Sequence, residues 1–223
     1  MVVVAGARLD GPLDPDALAE ADLLVAADGG ADALLAAGMR PGLLVGDMDS
    51  IRPETLEQMR DEGVEVSLLP TAKDETDLET ALRTAVNRGA DRITVFGALG
   101  GPRLDHLLGT LLLLTAPWLQ GRRVRLVDPW HEVFLAEGDV EIRGSPGDTV
   151  SLLPLSPVVR DVSTKGLLYS LEGEELHQST TRGVSNALRA ETARVTHGEG
   201  HLLVVHYRGR TEPAIHFDEP SQR

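Results

Sequence analysis

The chain contains no cysteine. A disulfide framework and thiolate chemistry are therefore excluded, while the redox compartment stays open. Lysine is nearly missing: arginine is abundant, but Lys73 and Lys165 are the only lysines, and Asn87 and Asn186 the only asparagines. Few thermolabile amides and no cysteine fit a thermophile; a GC-rich genome gives the same skew. A basic footprint is also lacking, because the formal charge is -14 over 223 residues. That argues against nucleic acid as a partner and leaves a cationic substrate unrepelled. No apolar stretch is long enough to span a bilayer. The longest, Leu107 to Leu119, is interrupted by Gly109, Thr110, Thr115 and Pro117. The start, Met1 to Gly6, lacks the basic region and long apolar stretch of a signal peptide. The expectation is a cytoplasmic protein with no membrane partner. Three catalytic patterns are missing as well: a P-loop, a Gly-x-Ser-x-Gly elbow, and histidines at metal-ligand spacing.

Apolar residues make up 42% of the chain, enough for a real core. The length suits one large domain or two modest ones. Up to about Asp128, short apolar runs alternate with helical patterns. Strands are expected at Val2 to Ala5, Leu23 to Ala26, Leu43 to Val45, Val64 to Leu68, Ile93 to Phe96 and Val124 to Val127. Helices are expected near Asp14 to Glu20, Ala31 to Ala37, Pro53 to Glu62, Glu75 to Arg88 and Pro102 to Thr115. Pro53 and Pro102 suit first helical turns, and Gly38, Gly63 and Gly89 suit positions just past helix ends. Such alternation implies an N-terminal α/β domain with a mostly parallel sheet, covered by helices on both faces. Beyond Asp128 only short β-type runs recur, from Glu132 to Leu135 through Leu202 to Tyr207 and Ala214 to Phe217, separated by turn residues. They predict a C-terminal antiparallel β-sandwich or barrel. The expected domains are 1–128 and 129–223, with a polar tail from Asp218.

Ligands of open α/β sheets bind beyond the carboxyl ends of the strands, and four polar clusters fall at such ends. Asp28-Gly29-Gly30 precedes a helix, where glycine lets a ligand approach the backbone and free N–H groups attract an anion; a tight turn with a cap explains it equally. In Gly46-Asp47-Met48-Asp49-Ser50, two carboxylates spaced two apart share one side of an extended segment. Held that close they repel unless a hard cation such as Mg²⁺ lies between them; a solvated loop with Asx-turns is the alternative. Lys73-Asp74-Glu75-Thr76-Asp77 opens a helix, with Asp74 and Asp77 three apart on one face, a pattern that capping also produces. Gly100-Gly101-Pro102-Arg103-Leu104-Asp105-His106 is a glycine turn into a helix. The Arg103 fork matches phosphate oxygens, with His106 beside it. Asp105 could hold Arg103 or His106, or receive a proton. Together these residues read as a phosphotransferase for a Mg-nucleotide.

In this order the clusters resemble the thiamine pyrophosphokinase family, whose signatures are similar to Asp28-Gly29-Gly30-Ala31, Gly46-Asp47-Met48-Asp49-Ser50-Ile51, Asp74-Glu75-Thr76-Asp77 and Gly100-Gly101-Pro102-Arg103-Leu104-Asp105-His106. Thr164 to Leu171 and Arg182 to Asn186 look like its thiamine segments. Asp32 stands where the family usually has Asn, Pro102 is an extra residue, and Thr110 replaces a common Asn. The resemblance implies an α/β domain followed by a β-sandwich, and transfer of pyrophosphate from Mg-ATP to the hydroxyl of thiamine, releasing AMP. It also implies a homodimer with the active site shared between subunits. By position, Asp47, Asp49 and Asp74 would hold Mg²⁺, with Asp77 as a further ligand or hydroxyl partner. Arg103 would neutralise phosphate charge, and Asp28, Gly29, Gly30 and His106 would line the nucleotide site. Tyr169 would stack on thiamine, unless it is a sandwich core residue. Ser185 and Asn186 would hydrogen-bond thiamine. A pyrophosphokinase for another alcohol, such as a hydroxymethyl-pterin, would keep the carboxylates but lose the thiamine segments. A non-catalytic nucleotide or thiamine-diphosphate sensor would not need the full carboxylate set.

Overall fold

A computed structural model of the chain describes residues 1–6, 9, 11–70 and 74–209. It divides into two compact units, Met1–Glu137 and Gly138–Arg223.

The first unit is the expected α/β domain. Its strands are β1 (Val2–Val4), β2 (Leu24–Ala27), β3 (Leu43–Gly46), β4 (Glu65–Leu68), β5 (Arg92–Phe96), β6 (Arg123–Val127) and β7 (His131–Ala136). They lie in the order β7-β6-β5-β1-β2-β3-β4. All neighbours are parallel except β6 and β7, which are antiparallel. The compact units divide at Glu137, later than the expected boundary at Asp128, because β7 pairs with β6 within the first unit.

The helices are α1 (Pro15–Ala19), α2 (Gly30–Ala36), α3 (Pro53–Asp61), α4 (Asp77–Asn87) and α5 (Leu104–Leu113). Val2, Val4, Leu24, Ala26 and Leu44 face one core with Leu18 of α1, Leu34 of α2 and Met59 of α3. By the period of two, Val3, Val25 and Val45 face the other side, and they too are fully buried. On α4, Leu78, Ala81, Leu82 and Ala85 form the buried stripe. Burial on both faces is why the strands read as unbroken apolar runs. A fully buried leucine such as Leu34 stabilises by roughly 1.5–3 kcal/mol relative to exposure. The chain order reverses between β1 and β5, which places the topological switch point at the carboxyl ends of these strands.

Helix ends follow the sequence signals with one exception. Pro53 opens α3 and Gly38, Gly63 and Gly89 follow the caps of α2, α3 and α4. Pro102, expected in a first helical turn, precedes the N-cap of α5, which is Arg103.

The second unit is antiparallel throughout. One sheet joins β9 (Thr149–Pro154) to β14 (Leu202–Tyr207) and to β12 (Asn186–Ala187). The other runs in the order β11 (Glu174–His177), β10 (Val158–Lys165), β13 (Thr192–Thr196), β8 (Asp139–Arg143). Alternate residues such as Val150 and Leu152, Ala193 and Val195 are buried, so each sheet turns one face to a core. A bulge between Val159 and Val162 restores this alternation, with Asp161 in the left-handed region at φ 55. The sequence pattern missed β11 and β12. The expected strand at Ala214 to Phe217 and the tail from Asp218 lie outside the described residues. Among the described residues, no helix is long and apolar enough to cross a membrane.

Candidate active site

The carboxyl ends of β2 and β3 bring the first two clusters together. Asp28 follows β2 in the left-handed region (φ 47), and its N–H donates to the Val45 carbonyl at 2.8 Å. The turn must be tight, because α2 starts against β1: a Cβ on Gly30 would lie 1.9 Å from the Val4 carbonyl oxygen. Only glycine fits there. After β3 the chain reverses through Met48, again left-handed at φ 66. The Asp49 N–H donates to Asp47 Oδ1 at 3.2 Å, Ser50 Oγ donates to Asp49 Oδ1 at 2.8 Å, and the Ser50 N–H donates to Asp28 Oδ2 at 3.2 Å. The segment is therefore a turn and not extended. Asp47 and Asp49 share a side because of Met48 and the Asx bond, not because of strand alternation. Non-glycine residues held in the left-handed region cost of order 1–3 kcal/mol each, and persist where the surroundings over-determine them.

One carboxylate oxygen from each of Asp28, Asp47 and Asp49 lies within 4.8 Å of the others. Asp28 is 5% exposed, and its Oδ1 is buried without a hydrogen-bond partner. Burial pushes the Asp28 carboxyl above its ordinary value; bonds from Ser50 oppose this, and the charges of Asp77 and Asp49 add to it. An acceptor buried and unmet, beside two more carboxylates, fits a hard divalent cation with oxygen ligands.

The remaining predicted residues fall as follows. Asp77 is the first residue of α4, and its charge reaches Asp28. Thr76 caps that helix, accepting from the Glu79 N–H at 3.2 Å. Asp74 precedes the helix, is exposed, and is not part of the three-carboxylate group among the described residues. Asp74 and Asp77 therefore do not share a helical face as the spacing predicts, since the helix begins at Asp77. Lys73 lies outside the described residues. At the end of β5, Gly97 is left-handed at φ 69, and a Cβ there would lie 2.5 Å from the Ala5 carbonyl oxygen. The following turn delivers Arg103, Asp105 and His106, all exposed. Arg103 donates to Asp105 through Nε at 2.9 Å and Nη2 at 2.5 Å. The guanidinium holds the Asp105 carboxyl well below the usual carboxylate range.

In the second unit the two expected substrate segments adjoin. Leu167 bridges Leu188, and Asn186 clamps Tyr169: its Oδ1 accepts from the Tyr169 N–H at 2.9 Å and its Nδ2 donates to the Tyr169 carbonyl at 2.6 Å. Asn186 is buried, so its amide shapes this loop. Ser185 is left-handed at φ 60, and its N–H donates to Ser151 Oγ at 3.0 Å. Tyr169 is 56% exposed, and its chain neighbour Leu168 is exposed as well. It is not a core residue.

Sequence reasoning placed Asp28 with the nucleotide and missed it as a carboxylate of the Asp47–Asp49 group. No spacing rule links residues on adjacent strands, although two acidic clusters at neighbouring strand ends were a usable signal.

Comparison with known proteins agrees with this geometry. Residues 15–126 match the family model described as "Thiamin pyrophosphokinase, catalytic domain", and residues 139–202 match "Thiamin pyrophosphokinase, vitamin B1 binding domain". The thiamine pyrophosphokinase of Bacillus subtilis (strain 168) is 29% identical over 188 residues, covering 83% of this chain and 87% of its own. The crystal structure of thiamine pyrophosphokinase from Bacillus subtilis superposes with a TM-score of 0.83 at 26% identity, over 93% of this chain and 98% of that one. The corresponding protein of Geobacillus thermodenitrificans gives a TM-score of 0.80 at 28% identity, over 95% and 99%. With two matching domains in order and the acidic clusters at the strand ends of the first, the chain belongs to the thiamine pyrophosphokinase family and is a pyrophosphokinase-type transferase.

Proposed function

We propose that the protein transfers the pyrophosphoryl group of Mg-ATP to the hydroxyl of thiamine, giving thiamine diphosphate and AMP. The observation that carries this is the buried, unmet Asp28 oxygen within 4.8 Å of Asp47 and Asp49 oxygens at the strand ends of a nucleotide-type sheet. Asp28, Asp47 and Asp49 would hold Mg²⁺, with Asp74 and Asp77 next to enter the site once the substrates are in place. Bound there, Mg²⁺ would neutralise the polyphosphate charge. Arg103 would exchange Asp105 for phosphate oxygens, using the same fork that now grips a carboxylate. His106 and the glycines Gly29 and Gly30 would line the nucleotide beside it. Asp77 would accept a hydrogen bond from the attacking hydroxyl. The hydroxyl would give up its proton to solvent as its oxygen bonds to the β-phosphorus, the bond from the β-phosphorus to the α,β-bridging oxygen would break, and AMP would leave with that oxygen.

Thiamine is favoured over another alcohol by the match of the second unit to a vitamin B1 binding domain. Tyr169 offers an exposed ring to a thiazolium. Ser185 precedes Asn186, which acts by holding the Tyr169 loop. A sensor has no use for the three-carboxylate group. The reading includes a cytoplasmic homodimer whose sites are completed across subunits. On α5, which buries none of its residues, Leu104, Leu108 and Leu112 are 66%, 51% and 54% exposed, one above another at helical spacing. An apolar stripe of this kind, starting at Leu104 just after Arg103, is what a subunit contact would cover.

The test is AMP release from ATP with thiamine, compared with a hydroxymethyl-pterin. Asp49→Ala should abolish turnover, a fall of at least about 10³-fold, while leaving the far-ultraviolet spectrum intact. Full activity in excess EDTA would sink the metal assignment; release with the pterin alone would reassign the substrate.

A further inference from the structure

The loop between β3 and α3 must hold two like charges beside a third, with Met48 in a conformation that costs energy. Something has to over-determine it. At its middle, the Ser50 N–H is taken by Asp28. At its far end, Arg52 is the N-cap of α3, and its side chain makes no capping bond. It is held instead from another helix. Asp32, in the first turn of α2, accepts from the Arg52 N–H at 3.3 Å, from Arg52 Nε at 2.9 Å and from Thr55 Oγ1 at 2.5 Å. Thr55 is buried, and so is Ile51 between the two anchor points.

We propose that Asp32 is a positioning residue for the metal site: through Arg52 and Thr55 it fixes the loop bearing Asp47 and Asp49 against Asp28. Asp28 and Asp32 lie one turn apart on the same segment, before and inside the start of α2. One end of that segment supplies a carboxylate to the site. The other grips the loop that supplies the remaining two. Loop and segment are thereby locked in register at two points, Ser50 and Arg52. Without the second point, the loop can relax its strained turn and let the charges separate. This proposal rests on the reading of Asp28, Asp47 and Asp49 as a cation site.

The experiment is a titration of the full-length protein with Mn²⁺ alone, followed by electron paramagnetic resonance of the free ion. Asp32→Ala should weaken Mn²⁺ binding about tenfold, the scale at which supporting partners of metal ligands act. Asp32→Asn keeps an oxygen that can accept from Arg52 and Thr55, so its loss should be smaller. Thr55→Val removes one donor without touching the carboxylate, and should shift affinity in the same direction; it and Asp32→Asn carry the test if Asp32→Ala fails to fold. Leu18→Ala, in the same core but away from the loop, should lower Tm with Mn²⁺ affinity unchanged. That control separates positioning from stability. Wild-type affinity in Asp32→Ala and Thr55→Val, with binding lost in Asp49→Asn, would overturn the positioning role and leave the cation site standing. Failure of the wild type to bind Mn²⁺, or no loss in Asp49→Asn, would overturn the cation site and the positioning role with it.

Discussion

Asp28 and Asp32 have the same side chain and opposite electrostatics. Asp28 is pushed up by burial. Burial raises Asp32 too, but the bonds from Thr55 and Arg52 outweigh it, and the carboxyl is held below its ordinary value. The sign of its effect on stability follows. A carboxyl with a depressed folded value stabilises the fold above its unfolded value, and that contribution is lost as pH falls through the folded one. Asp32→Asn should therefore cost roughly 1 kcal/mol at pH 7. The gap to wild type should close from about pH 5 downwards, as both side chains become neutral. Urea unfolding of both proteins across pH checks this; a gap independent of pH would mean the charge on Asp32 is irrelevant. At this scale, the sequence revealed residue types better than residue roles. Asp47, Asp49 and Arg103 stand at strand or helix ends as their spacing implied. The grip of Asn186 on the Tyr169 loop and of Asp32 on Arg52 was not legible, because each joins residues well apart in the chain. Asp32 is matched in charge by Arg52.

Among elements, α2 is the one whose start decides the site. Its first residue, Gly30, lies so close to β1 that ordinary helix propensity is overruled. Alanine normally stabilises a helix by about 1 kcal/mol relative to glycine. Here the added Cβ would sit 1.9 Å from a backbone oxygen, so α2 or β1 must move. Gly30→Ala should destabilise the protein by at least about 2 kcal/mol, read from the denaturation midpoint, and should impair turnover because Asp28 moves with α2. A midpoint at or above wild type would show that the close approach is not real. Elements with strong patterns were legible: the apolar strand runs, and the amphipathic α4 with its buried stripe. Those missed had weak ones. In β11, an edge strand, only Leu176 is buried, and β12 is two residues long, so neither shows an alternation to detect. The helix α5 has no fully buried residue: Leu107, Leu111 and Leu113 are half-buried and Leu104, Leu108 and Leu112 exposed, the stripe that the proposed subunit contact would cover.

Across the whole molecule, the residues proposed for the two halves of the reaction are encoded in different units. Asp28, Asp47, Asp49 and Arg103 belong to the unit ending at Glu137, whereas Tyr169 and Ser185 belong to the unit after it. An acceptor hydroxyl must reach the β-phosphorus in line and near contact distance. Under the proposed homodimer, each site takes its phosphate-handling groups from one subunit and its thiamine-handling groups from the other. Complementation tests this. Asp49→Ala removes a carboxylate from the first unit and Tyr169→Ala removes an exposed ring from the second, so neither should disturb a core. Each homodimer should be inactive or nearly so. Once subunits exchange, a mixed dimer has one site carrying both lesions and one carrying neither. With random exchange, half the dimers are mixed and half their sites are intact, so about a quarter of wild-type activity should return, reading kcat per site. If both groups of a site came from one chain, every site in the mixture would keep one lesion and no activity would return. Native mass spectrometry of the mixture, showing mixed dimers without rescued AMP release, would refute the shared site while leaving the pyrophosphokinase reaction itself intact.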